Sequence, residues 1–147
     1  MSPLTVSVSA KLVALLLFAP TVAHAWSEPP RGSELRSEIL GAIRSVVAVD
    51  LNPPLEFIVN ELRQEGDIAF GALQPQRPGG AAITWDSTAI AARGEPEDWY
   101  DGTTVHAFVQ RVDGAWLVED YSIGATDVWW FKSPLCANYQ RVIPEYC

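Results

Sequence analysis

Asp113-Gly114 constrains the fold of this chain more than any other pair of residues, because it sits between two runs rich in branched and aromatic side chains. A two-residue hairpin turn of type I′ needs positive φ at both central positions, and Asp-Gly is among the few dipeptides that tolerate it. The turn sets a register in which Val112 faces Ala115, Val109 faces Val118 and His106 faces Tyr121. Side chains alternate across a strand. One face then carries Val105, Ala107, Val109, Trp116 and Val118, and the other His106, Phe108, Leu117 and Tyr121. Both faces are largely apolar, which predicts a hairpin covered on both sides at the centre of a sheet.

Upstream, Leu35, Ile39, Ala42, Ile43, Val46 and Val47 recur at helical spacing behind Ser33, a plausible N-cap. Glu34 to about Val49 is therefore expected to be an amphipathic helix, ended by Asn52-Pro53-Pro54. Leu55 to Arg63 and Ile68 to Leu73 read as strands joined at Glu65-Gly66-Asp67, with Ile68, Phe70 and Ala72 on one face. Pro75 to Gly80 reads as a loop, since two prolines and a glycine pair oppose continued pairing. Ala81 to Trp85 is expected as a short edge strand, followed by a long acidic excursion with a helical turn near Ser87 to Ala92. Trp129-Trp130-Phe131 is expected to extend the sheet, and Ser133 to Cys147 to be a tail without regular structure. Trp26 to Gly32 reads as a loosely held leader.

The order, one helix and then four to five antiparallel strands, predicts an α+β domain. A single amphipathic helix must hide its stripe across one face of a curved sheet. At the level of fold the chain is similar to cystatin-like and ketosteroid-isomerase-like α+β proteins. It also resembles a family of small secreted bacterial proteins of uncharacterised function. That resemblance rests on Arg36 with Ile39-Leu40 and Ile43-Arg44, on Glu56-Phe57-Ile58-Val59, and on Gly66-Asp67-Ile68-Ala69-Phe70. It continues in Pro75-Gln76-Arg77-Pro78-Gly79-Gly80, Gly114-Ala115-Trp116-Leu117-Val118 and Gly124-Ala125-Thr126-Asp127-Val128. It implies a secreted protein and no particular chemistry.

The same address follows from the residues. Lys11 precedes the apolar run Leu12 to Pro20, and Ala23-His24-Ala25 is a small-x-small triplet; together they read as a signal peptide cleaved after Ala25. The run is about half the ~20 residues that span a bilayer, so no retained membrane helix is expected. Residues 26–147 then form one domain in the periplasm or the medium, with nine basic and eighteen acidic residues. An acidic balance without a basic stripe argues against nucleic acid and anionic membranes as partners. Cys136 and Cys147 read as a disulfide closing the C-terminal tail; two free thiols, or one reacting with a partner, is the alternative.

Few residues suggest chemistry. Beyond Ala25 the one histidine is His106, and no multi-histidine, C-x-x-C or H-E-x-x-H metal set, nucleophile elbow or dinucleotide fingerprint occurs. No metal and no cofactor is therefore expected. His106, with Tyr121 opposite and Glu119 diagonal, is either a proton acceptor in a cavity or a ring packed on Tyr121. Arg36 falls inside the apolar stripe of the helix, and Asp120 shares a face with Val105, Ala107, Val109 and Val118. The two are expected to pair, as a structural ion pair or as part of a polar ligand cluster. Arg36, His106, Glu119, Asp120 and Tyr121 are thus the candidate polar cluster. Trp129 and Trp130 are the candidate binding platform, with burial in the core as the alternative. Glu95, Glu97, Asp98 and Asp101 lack calcium-loop spacing and read as a solvated loop.

These features favour a non-enzymatic binding or interaction module whose partner is an envelope protein, a glycan or a small ligand. The alternative is a small-molecule binding protein or enzyme using a pocket between helix and sheet. A periplasmic hydrolase inhibitor is a third reading with no motif of its own.

Overall fold

A computed structural model describes residues 25–147, so the expected signal segment lies outside the described residues apart from Ala25. Helix α1, Glu34–Leu51, is followed by strands β1, Glu56–Glu65, and β2, Ile68–Gln76. A short helix α2, Ala89–Ala92, precedes strands β3, Val105–Val112, and β4, Ala115–Ile123; helix α3, Pro134–Tyr139, lies in the C-terminal segment. The strands form one antiparallel sheet in the order β1-β2-β3-β4. The chain is thus α+β, with α1 packed against a four-stranded antiparallel sheet.

Ser33 caps α1, its hydroxyl accepting from the Arg36 amide at 3.2 Å. Arg36, Ile39, Ile43, Val47 and Leu51 form its buried stripe. The helix ends with Leu51, two residues past the expected end. No basic residue occupies its last turn. Arg77 supplies the charge from elsewhere, donating to the carbonyls of Leu51, Asn52 and Pro54 at 3.0, 2.5 and 3.2 Å. Gly71 lets α1 approach the sheet closely, since a Cβ there would stand 3.3 Å from Ile43 Cδ1.

The Asp113-Gly114 turn forms as expected, with φ of 50° and 84°. Val112 pairs with Ala115 and Val109 with Val118, but His106 pairs with Ser122 and not with Tyr121. A bulge opposite Phe108 and Val109 inserts Glu119, and beyond it the faces of β4 exchange. Tyr121 therefore turns to the helix side, where its hydroxyl meets Asp50 at 2.7 Å. β1 carries a second bulge between Val59 and Glu61. Both edge strands are thus kinked, a feature that discourages edge-to-edge aggregation. β3 is central, as expected of the hairpin, whereas β4 is an edge.

Other expectations are corrected. β2 continues through Pro75, which pairs with Phe57; β3 has already ended opposite Leu73, so the missing N–H has no partner to lose on that side. Residues 81–85 form no strand, and Trp85 opens a 3₁₀ turn. The helical turn does form, as α2, capped by Thr88. Residues 129–131 leave the sheet, and the tail contains α3 and a 3₁₀ turn, Pro144–Tyr146. The leader is tied down, since Ser27 and Gln64 exchange backbone hydrogen bonds of 2.9 Å.

Two cores result. The first lies between α1 and the sheet and is mostly aliphatic, with Ile39, Ile43, Val47 and Leu51 against Ala69, Leu73, Val105, Ala107 and Val109. The second lies on the opposite face, beneath the C-terminal segment, and joins Phe70, Phe108, Trp130, Leu135, Tyr139, Val142 and Ile143. Among the described residues no helix is long and apolar enough to cross a membrane.

Candidate functional site

The pairing of the strands brings residues distant in sequence into rows across the second face. One row runs Glu61, Ala72, His106, Ser122, and the next Arg63, Phe70, Phe108, Asp120. Neighbouring strands lie about 4.8 Å apart, so the Glu61 and His106 backbones are roughly 10 Å apart with Ala72 between them. The small side chain of Ala72 leaves a depression there. Residues 125–128, Trp130 and Tyr146 wall it, giving a recess of about 270 Å³. Pockets for small ligands start near this size.

Four rings surround the depression. Phe70 stacks on His106 with centroids 6.2 Å apart, and Trp130 meets the His106 ring at 5.4 Å. Tyr146 stands 6.1 Å from Trp130 and 6.5 Å from Phe70. The disulfide between Cys136 and Cys147, whose Cα atoms are 5.5 Å apart, holds the segment carrying Tyr146. Trp129 sits behind Trp130, donating from Nε1 to Ser122 Oγ at 2.7 Å.

Two residues of the recess wall carry buried polar atoms without partners. His106 Nδ1 and Trp130 Nε1 are both buried without a hydrogen-bond partner. Leaving such a group unsatisfied costs about 1–3 kcal/mol. Burial pulls the His106 pKa below its ordinary value, and the charge of Glu61 opposes that shift. His106 is therefore a neutral imidazole near pH 7. Glu61 Oε2 lies 2.7 Å from the Arg63 guanidinium. Arg63 is itself buried; it reaches Glu145 at 2.5 Å and the Val142 carbonyl at 3.2 Å, and it lies over the rings of Trp26 and Tyr146. One side chain so joins β1 to the leader and the tail.

The expected polar cluster is not assembled. Arg36 pairs with Glu28 at 2.9 Å and the Pro29 carbonyl at 2.8 Å, because a first-turn side chain points back towards the helix N-terminus. Asp120 is exposed at the bulge and accepts from the Tyr121 amide at 2.8 Å, so the expected Arg36–Asp120 pair does not form. Glu119 accepts from the Tyr139 hydroxyl at 2.8 Å, and burial, then that bond, pushes the tyrosine pKa well up. Tyr121 belongs to the helix side, where burial and Asp50 raise its pKa to about 12. Of the five, His106 alone lines the recess. Trp130 is 3% exposed and Trp129 half-buried, so neither forms an open platform; among the described residues the exposed rings are Trp99 and Phe131.

Sequence reasoning overlooked Glu61, Arg63, Ala72 and Tyr146. A signal existed for the tail that carries Tyr146: Leu135, Tyr139, Val142 and Ile143 recur at helical spacing. None existed for Glu61, which reads as an ordinary strand carboxylate.

Two other depressions are weaker candidates. One, near Gln74, Tyr100, Thr103 and Thr104, has its amide, hydroxyl and phenol groups engaged: Gln74 bonds both threonines and Tyr100 bonds Glu95. The other is a groove beside α1, lined by Arg31, Leu40 and Phe57 to Val59. In the helix–sheet interface Ile39, Ile43, Val47 and Leu51 are wholly buried. Among the described residues no group of three or more His, Cys, Asp or Glu side chains is placed to hold a metal ion. The chain matches no protein-family model, no curated protein and no solved structure with which it was compared.

Proposed function

We propose that this chain is an exported, non-catalytic binding domain that holds a small ligand in the recess over Ala72. One observation carries the reading: a depression walled by the rings of Phe70, Trp130 and Tyr146 also presents the polar side chains of His106 and Asp127. Ligand sites combine apolar walls with a few convergent polar groups in this way. Arg63 and the disulfide fix the wall that carries Tyr146 against the strands, so that side of the site is preformed. The apolar run before Ala23-His24-Ala25 and the disulfide support export. The alternative reading placed a pocket between helix and sheet; this proposal places it on the opposite face.

Protein-observed magnetic resonance with a library of small aromatic and alkyl compounds tests it. Binders are expected to shift the Trp130 indole and His106 ring signals. Ala72→Leu, which fills the floor, is expected to abolish those shifts while the variant keeps its fold by circular dichroism. Shifts confined to the groove beside α1, or unchanged by Ala72→Leu, would falsify the assignment.

A further inference from the structure

We infer that the ligand of this recess is a small organic cation, an ammonium or methylated ammonium about the size of choline. The inference rests on the binding reading above and names its ligand class. The side chains around the recess are of two kinds. Phe70, Trp130 and Tyr146 offer aromatic carbon, and Glu61 and Asp127 offer carboxylates. No lysine or arginine lines it.

That combination disfavours the other classes. An anion meets the unpaired carboxylate of Asp127, and the nearest cation, Arg63, is already held by Glu61 and Glu145. A bare metal ion needs several oxygen ligands, and no such set of side chains is assembled among the described residues. A neutral apolar ligand covers Asp127 without compensating it, whereas Glu61 already has Arg63. An organic cation satisfies both kinds of side chain, since its charge faces the carboxylates and its carbon-bound surface lies against the rings.

The neighbouring residues already demonstrate the chemistry. Arg63 lies 4.5 Å from the centre of the Trp26 ring and 5.8 Å from that of Tyr146, with Glu61 and Glu145 as its carboxylates. A cation is thus seated on one side of Tyr146. Asp127 lies on an exposed loop at the recess and takes no part in the Arg63 pairs. The chain's net charge of −8 draws cations towards it at long range.

Choline and its neutral isostere 3,3-dimethylbutan-1-ol separate charge from shape. In a magnetic resonance titration choline is expected to shift the Trp130 indole and the Ala72 amide. The isostere is expected to bind roughly ten-fold more weakly, the scale of a partly desolvated cation–π contact. Asp127→Asn, and Glu61→Gln combined with it, are expected to weaken choline towards the isostere while leaving the isostere unchanged. Asp127→Asn alone keeps the test valid if Glu61→Gln disturbs Arg63. Equal binding of the two probes, or choline binding insensitive to both variants, overturns the cation and leaves the binding site standing. Silence from both probes, while another compound shifts the same signals, does so too. Silence from every compound overturns both readings.

Discussion

The two faces of the sheet are covered in different ways. One lies under an 18-residue helix whose Ile39, Ile43, Val47 and Leu51 meet aliphatic strand residues. The other lies under a short helix, a 3₁₀ turn and a disulfide, and its core is largely rings. Branched aliphatic side chains on a regular period interdigitate and fill space. Large rigid rings on irregular backbone pack edge to face and leave gaps between them. The recess lies on the aromatic face, as do the unpartnered atoms of His106 and Trp130, while Trp116 Nε1 is left without a partner on the helix side. Regular packing fills the middle of the helix face and leaves depressions at its margins, beside α1 and near Tyr100, whereas irregular packing leaves one over the sheet itself.

The comparison breaks first if the aromatic face is only a lid. Phe108 is wholly buried there, and Phe108→Ala is expected to cost about 3–5 kcal/mol, as much as or more than the 2–5 of Ile43→Ala on the helix face. Urea unfolding measures both. A Phe108→Ala cost under about 1 kcal/mol makes the second core dispensable.

The disulfide comes next. Tyr139, Val142 and Ile143 are wholly buried and lie inside its loop. Cys136→Ser with Cys147→Ser is therefore expected to cost about 3 kcal/mol and to flatten the near-ultraviolet circular dichroism of the aromatic face. A tail that merely frayed at its end would lower the melting temperature slightly and leave that aromatic signal intact.

A smaller effect sharpens the comparison at the tail. Tyr139→Phe removes only the hydroxyl that meets Glu119, so about 1 kcal/mol is expected. A double-mutant cycle with Glu119→Gln should show the two acting together, and independent, additive losses would dissociate the tail from the bulge.

The smallest effect is a pH dependence. Burial lowers the pKa of His106 in the folded chain, against about 6.5 when unfolded. As pH falls through about 6.5 the unfolded chain takes up this proton first, so acidification favours unfolding; above that pH the group contributes no such dependence. Urea unfolding between pH 7.5 and 5.5 should show a larger loss in the parent protein than in His106→Gln. A parent protein that gained stability relative to the variant on acidification would reverse the sign.

Much of the fold was legible because its signals are local. Ser33 capped α1, Asp113-Gly114 turned the hairpin, and the alternation of Ile68, Phe70 and Ala72 marked one face. The site was legible only in part. His106 and Trp130 stood out by residue type, but their neighbours depend on pairing. The bulge left a trace in sequence: Val118 and Tyr121 both pack against the helix-side core although they stand three apart, with two acids between. A strict period of two conceals that, and one inserted residue exchanged the faces of the rest of β4.

By itself the sequence determined the helix, the two hairpins and the closeness of Cys136 to Cys147, since each depends on residues close together in the chain. Tertiary structure decided the rest. It gave Arg36 to Glu28, not to Asp120, and it set Glu61, Ala72 and His106 in one row from three strands. The backbone of each strand pairs in any register; long-range side-chain packing selects among them. A site assembled from three strands and a tail therefore exists only once that selection has been made.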